Sequence, residues 1–195
     1  MYLKNGYVIT SRGCPNKCWF CDVWKRDGNI RELEIKDGWN VLDDNLLACS
    51  DQHIKKVFKM LQRQKYPVEF TGGFEAARLK DWHIDQLLKI NLKQVFFAYD
   101  TPEDYEPLII ASRMLKESGI IKSTSHKARC YVLIGYPKDS FENAERRINN
   151  VMNLGFMPMA MLYRDYSGKY SLEWRRFQRE WANPIILGYK IKMQN

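Results

Sequence analysis

Arg12-Gly13-Cys14-Pro15-Asn16-Lys17-Cys18-Trp19-Phe20-Cys21 brings three thiols within eight residues. The run follows directly on Tyr7-Val8-Ile9-Thr10, which reads as a first β-strand. A strand that opens into a loop of ligating side chains is how α/β barrels carry chemistry at the C-terminal end of their sheet. The chain has five cysteines in 195 residues. An odd number clustered in this way argues against a secreted disulfide framework and for a metal centre in a reducing compartment. Three thiolates on one short loop can hold three irons of a cubane cluster, leaving the fourth iron open to a ligand. Zinc is the competing reading. It needs a fourth ligand from Cys49, Cys130, His53, His83 or His126, and none of these sits in a second short-spaced pair.

Outward from this loop the chain alternates β-rich runs with helical patterns, which predicts βαβ units and a parallel sheet. Asn40-Val41-Leu42 reads as the second strand, ending at Asp43-Asp44-Asn45. Ser50 caps a helix through about residue 64, with Ile54, Val57, Phe58 and Leu61 on one face. Residues 67–71 form a third strand stopped by Gly72-Gly73, and a helix over 81–90 buries Ile84, Leu87 and Leu88. Residues 94–99 are the fourth strand. The next helix starts with Thr101 at the N-cap, Pro102 at its first position and Glu103 and Asp104 against the dipole, and Gly119 ends it in a left-handed conformation. Residues 130–134 are the fifth strand, closed by Gly135, and a helix over 140–154 ends at Gly155. Residues 157–163 supply a sixth strand, which Pro158 confines to an edge.

Six strands in about 160 residues are two short of a (β/α)₈ barrel. The expected fold is therefore α/β, a partial (β/α)₆ TIM-like barrel formed by residues 1–165. A C-terminal helical extension, residues 166–195, packs on that core. Only the first crossover, between Cys21 and Val41, lacks a helical pattern; it is expected to be a turn-rich loop covering the active site. Cys14, Asp43, Gly72 and Asp100 should all lie at the C-terminal ends of strands.

Cys-x3-Cys-x2-Cys after a first strand, with Phe20 just before the third cysteine, resembles the radical S-adenosylmethionine (SAM) superfamily over residues 6–165. The resemblance implies a [4Fe–4S] cluster on Cys14, Cys18 and Cys21 whose open iron is chelated by the amine and carboxylate of SAM. Reductive cleavage then gives a 5′-deoxyadenosyl radical that abstracts hydrogen from a substrate. It further implies that Phe20 packs near the adenine and that Asp43 or Asp44 takes the SAM amine at the end of strand two, with Asn45 supporting the turn. Asp100 would meet the ribose, Ile134 within Val132-Leu133-Ile134-Gly135 would contact adenine, and Arg78 would reach the SAM carboxylate. Each has a plainer reading: Asp100 begins the next helix, Ile134 is buried strand, and Arg78 is a surface ion-pair partner. Gly72-Gly73-Phe74-Glu75 looks like the family's Gly-Gly-Glu element but falls on strand three. Enzymes of this kind draw electrons from a reducing partner such as flavodoxin or ferredoxin.

The remaining residues narrow the chemistry. Cys49 and Cys130 cannot make the second three-cysteine cluster of a methylthiotransferase, and 195 residues leave no space for a corrin-binding domain. What remains is a minimal single-cluster enzyme. Its expected substrate is a nucleotide, a nucleic acid base or another small anionic molecule. The alternatives are a glycyl-radical-enzyme activase and a non-catalytic zinc or iron–sulfur module. The formal net charge of +8 attracts polyanions without identifying one. Trp174, Phe177 and Trp181 form one helical stripe over about 171–181, with Arg175, Arg176 and Arg179 on other faces. That helix either packs on the open edge of the barrel or offers a basic, aromatic platform to nucleic acid. No apolar run approaches the roughly 18–20 residues of a membrane span, and the first residues lack a signal-peptide pattern. A soluble, cytoplasmic protein is expected.

Overall fold

The computed structural model describes residues 3–122, 126–168, 170–183 and 185–188, so the expected extension is described only as far as residue 188. Its centre is one six-stranded sheet, entirely parallel, with strands in chain order. They are β1 (Tyr7–Val8), β2 (Asn40–Val41), β3 (Val68–Phe70), β4 (Leu92–Tyr99), β5 (Ala128–Ile134) and β6 (Met157–Leu162). Helices α1 (Asp51–Leu61), α2 (Asp81–Leu88), α3 (Tyr105–Glu117) and α4 (Phe141–Asn153) connect β2 through β6. A final helix, α5 (Leu172–Ala182), follows β6. A parallel sheet whose strand order never reverses has no topological switch point. The architecture is compatible with a partial α/β barrel.

The predicted periodicities are the physical basis of the core. Val95, Phe97 and Tyr99 of β4 and Ala128, Cys130, Val132 and Ile134 of β5 alternate onto one face. There they join Ile54, Val57, Phe58 and Leu61 of α1, Leu108 and Leu115 of α3, and Ile148 and Val151 of α4 in one buried cluster. Phe96 and Leu133, the residues between, are also buried but lie outside that cluster on the other face. Capping follows the sequence signals. Ser50 and Ser140 accept hydrogen bonds from the backbone N–H groups of His53 and Asn143, and Gly119 takes φ +76° beyond α3. Pro158 sits on β6, the edge strand, and α5 covers that edge, where Gln178 Nε2 donates to the Ala160 carbonyl.

Two details differ from expectation. Leu88 is 55% exposed, because it is the last residue of α2 and the chain turns at Lys89 before any element covers it. The first crossover is not helix-free: Val23–Arg26 form a single turn, held locally by the Lys25–Asp22 ion pair at 3.0 Å. The rest of that crossover folds back as a short antiparallel ribbon, Arg31–Glu32 on Ser11–Arg12.

His83 in α2 is fully buried, and its Nδ1 accepts from Lys80 N–H at 2.9 Å. Burial, aided by the Lys80 charge, lowers its pKa from 6.5 to about 4. The unfolded chain therefore takes up this proton first as pH falls, so stability present above 6.5 drains away down to about 4. The loss should approach about 3 kcal/mol, read as the difference in urea unfolding between pH 7 and pH 4. His83→Gln, which keeps the acceptor but does not titrate, should show that much less dependence on pH.

Candidate functional site

The C-terminal ends of β1 to β4 carry Cys14, Asp43, Gly72 and Asp100, as the strand reading requires. The cysteine loop is fixed there by the acidic pair that follows β2. Asp43 is 1% exposed and accepts three hydrogen bonds: Thr10 N–H at 2.6 Å, Thr10 Oγ1 at 2.5 Å and Ser11 Oγ at 2.7 Å. Asp44 accepts from Gly13 N–H at 2.9 Å and pairs with Arg12 at 3.2 Å and Arg26 at 3.7 Å. Both carboxylates thus staple the stretch leading into Cys14 to the end of strand two. The far side of the loop is tied by Cys14 N–H to the Gly28 carbonyl at 3.1 Å and by Trp24 Nε1 to the Cys18 carbonyl at 3.1 Å.

Asn45, next in sequence, points the other way. Its Nδ2 donates to Glu75 Oε2 at 2.7 Å and contacts Cys14 Sγ at 3.4 Å, while its Oδ1 is buried with no partner among the described residues. The Glu75 carboxylate also receives Arg78 Nε at 2.6 Å. Asn45, Glu75 and Arg78 therefore form one cluster against Cys14, although 30 residues separate Asn45 from Glu75. Gly72 makes this meeting possible. A Cβ at that position would lie 2.0 Å from the Asp43 carbonyl oxygen, so only glycine lets strand three pass so close to the end of strand two.

The thiols of Cys14, Cys18 and Cys21 are free and half-buried. Burial, followed by the charges of Cys21 and Cys14, pushes Cys18 up to about 11. Burial raises Cys21 as well, with the Cys14 charge adding to it. Cys18 thus feels both neighbouring sulfurs, and Cys21 that of Cys14, in one partly desolvated site. Among the described residues, no three His, Cys, Asp or Glu side chains are drawn together tightly enough to ligate a metal as they stand. The donor set nonetheless suits a thiophilic cluster: three thiols on one loop, whose protons a metal would displace, beside a buried amide oxygen lacking a partner. Cys49 and Cys130 are buried and sit elsewhere, Cys49 against Ser11 and Asp43, and Cys130 beneath Asp100 and Asp104.

At the end of β4, Asp100 does not cap the next helix. The helical start falls at Thr101, in a capping box over the turn Pro102–Asp104 that leads into α3, with Asp104 Oδ2 accepting from the N–H groups of Asp100 and Thr101 at 3.0 and 2.8 Å. The Asp100 carboxylate receives the Leu133 N–H, and burial together with Asp104 raises its pKa to about 7. The Ile134 side chain is wholly buried in the helix-side core, so only its backbone reaches the strand ends, where its carbonyl accepts from Tyr163 N–H at 2.9 Å. Phe20 packs edge-on against Trp19 at 5.3 Å, and Trp19 in turn meets Tyr136 and Tyr163 at 5.5 and 5.7 Å. This aromatic bridge carries the cysteine loop across to the ends of β5 and β6. Trp19, Tyr136 and Tyr163 are absent from the sequence-based site, because nothing in their local sequence shows that three distant loops converge.

The C-terminal stripe is a packing surface. Trp174, Phe177 and Trp181 form a chain of ring contacts, with Phe141 of α4 joining at Trp174 (4.3 Å) and Phe177 (5.4 Å). No helix among the described residues is long and apolar enough to cross a membrane. No protein-family model matches the chain, and no curated protein matches it at a significant level.

Proposed function

We propose that the chain is a single-cluster radical SAM enzyme built on a partial (β/α)₆ barrel of that superfamily's type and working in the cytoplasm. Cys14, Cys18 and Cys21 would hold a [4Fe–4S] cluster, and a flavodoxin or ferredoxin would reduce it. With SAM bound, that cofactor pair supplies a 5′-deoxyadenosyl radical for hydrogen abstraction.

The observation that carries this reading is the Asn45–Glu75–Arg78 cluster at Cys14. An ammonium needs acceptors. The orphan Asn45 Oδ1 and the Glu75 carboxylate are two, held beside the first thiol. A carboxylate needs a cation, and Arg78, about 40% exposed, is within reach of the same place. Asp43 and Asp44 spend their oxygens on the loop, so the amine role falls to Asn45 and Glu75. Glu75 fixes which end of the Asn45 amide carries the N–H groups and so keeps Oδ1 turned to the ligand. Phe20 and the backbone of β5 are left for the adenine, and Asp100 for the ribose.

Glu75→Gln and Asn45→Ala should each weaken SAM binding about ten- to hundredfold, the value of a charge-assisted hydrogen bond. Equilibrium dialysis against anaerobically reconstituted protein measures it. Undiminished SAM affinity in both variants, with loss in Asp44→Ala instead, would return the amine to the acidic pair.

A further inference from the structure

Beside the cysteine loop, at the ends of β5 and β6, lies a pocket of about 390 Å³, within the range of small-molecule sites. Tyr136, Tyr163, Tyr170 and Trp174 contribute four aromatic rings to its nine lining residues. Gly135 (φ +71°) forms part of its floor, and a Cβ there would meet the Trp174 indole at 3.0 Å, so the glycine sets how deeply that ring enters. Two arginines share the ring of Tyr170: Arg164 at 5.5 Å and Arg175 at 5.4 Å, the latter also donating to the Tyr170 hydroxyl at 2.8 Å. Among the described residues neither is paired with a carboxylate. Asp165, in the same wall, is turned to Ser167. Two like charges held on one phenol ring form a site for an anion, and guanidinium groups match phosphate best.

We propose that this pocket binds the substrate and that the substrate is a nucleotide, its base among the tyrosines and Trp174 and its phosphate at Arg164 and Arg175. Aromatic walls suit any flat heterocycle, and a neighbouring arginine pair selects the phosphorylated ones. Trp19 touches both Tyr136 and Tyr163, so a ligand here lies next to the cysteine loop. The substrate role rests on the radical SAM reading; the binding does not.

The test is a titration of reconstituted protein, followed by tryptophan fluorescence and equilibrium dialysis. The probes are the 5′-monophosphates of adenosine, guanosine, cytidine and uridine, their nucleosides, and single-stranded hexanucleotides. At least one monophosphate should bind tenfold or more tightly than its nucleoside. Tyr170→Ala should weaken it about five- to 150-fold, the worth of one stacked ring. Tyr170→Phe, which keeps the ring, should retain base binding. In the Arg164→Ala/Arg175→Ala double variant, monophosphate affinity should fall to that of the nucleoside. Hexanucleotides binding more tightly than monomers would put the nucleotide within a strand, and equal affinity would make it free; both fit the proposal. Absence of binding, binding unchanged in Tyr170→Ala and the double variant, or displacement by saturating SAM would overturn it. SAM cleavage without nucleotide binding ends this inference alone, whereas nucleotide binding without SAM cleavage ends the radical reading and the substrate role with it, leaving the nucleotide site.

Discussion

Alanine at any one of Cys14, Cys18 or Cys21 should abolish release of 5′-deoxyadenosine by the reduced protein in the presence of SAM. All three should lose it equally, because an open-site cluster on three thiolates has no ligand to spare. The wild-type chain, reconstituted anaerobically, should carry about four irons and four sulfides, and each variant far less. Cys130→Ala is the control. That thiol is fully buried under Asp100 and Asp104, among residues of the helix-side core, and its removal should cost some stability while cleavage persists. Equal loss in a folded Cys130 variant would mean that the ligand set has been misassigned. Stoichiometric zinc, with no cluster able to form, would end the radical reading and favour the binding-module alternative.

Asp43→Ala should destabilise the fold by about 3–6 kcal/mol, a large share of the roughly 5–15 kcal/mol that holds a domain together. The magnitude follows from what is left behind. Thr10 and Ser11 are both wholly buried, and three donors now satisfied by one carboxylate would lose their acceptor without gaining water. Urea unfolding at pH 7 reads the loss. Asp43→Asn, whose amide still offers one acceptor and can donate to the hydroxyls, should cost much less. An Asp43→Ala protein as stable as wild type but unable to bind SAM would show that this carboxylate serves the ligand and not the loop. Asp44→Ala should be milder, since its partners Arg12 and Arg26 remain partly exposed.

The strand count survives in the structure because it rests on period and punctuation. β-branched and aromatic runs bounded by glycine and proline pick out all six strands, and the Ser50, Thr101 and Ser140 signals fall where helices begin. Leu88 and the Val23–Arg26 turn are the misses. Leu88 is the last residue of its helix, where burial depends on whatever neighbour covers it. The turn is a single four-residue piece inside the first crossover, too short to show a helical period. The acidic pair shows a different limit. Its position at the end of strand two was legible, but its direction was not. Whether a carboxylate faces a ligand or a neighbouring loop depends on donors 30 or so residues away.

The sequence alone determined the local chemistry: three thiols on one loop after a strand, the alternation that makes a parallel sheet, and the turns that end its strands. Those features are set by covalent neighbours, through side-chain period, φ preference and ligand spacing. Only the tertiary structure decided which groups meet. Asn45 reaches Glu75 and Cys14 because Gly72 lets strand three pass close to Asp43. Trp19 reaches Tyr136 and Tyr163 because the parallel sheet brings its strand ends to one side. Such meetings depend on register and close approach between segments far apart in the chain, and no local pattern in the sequence records them.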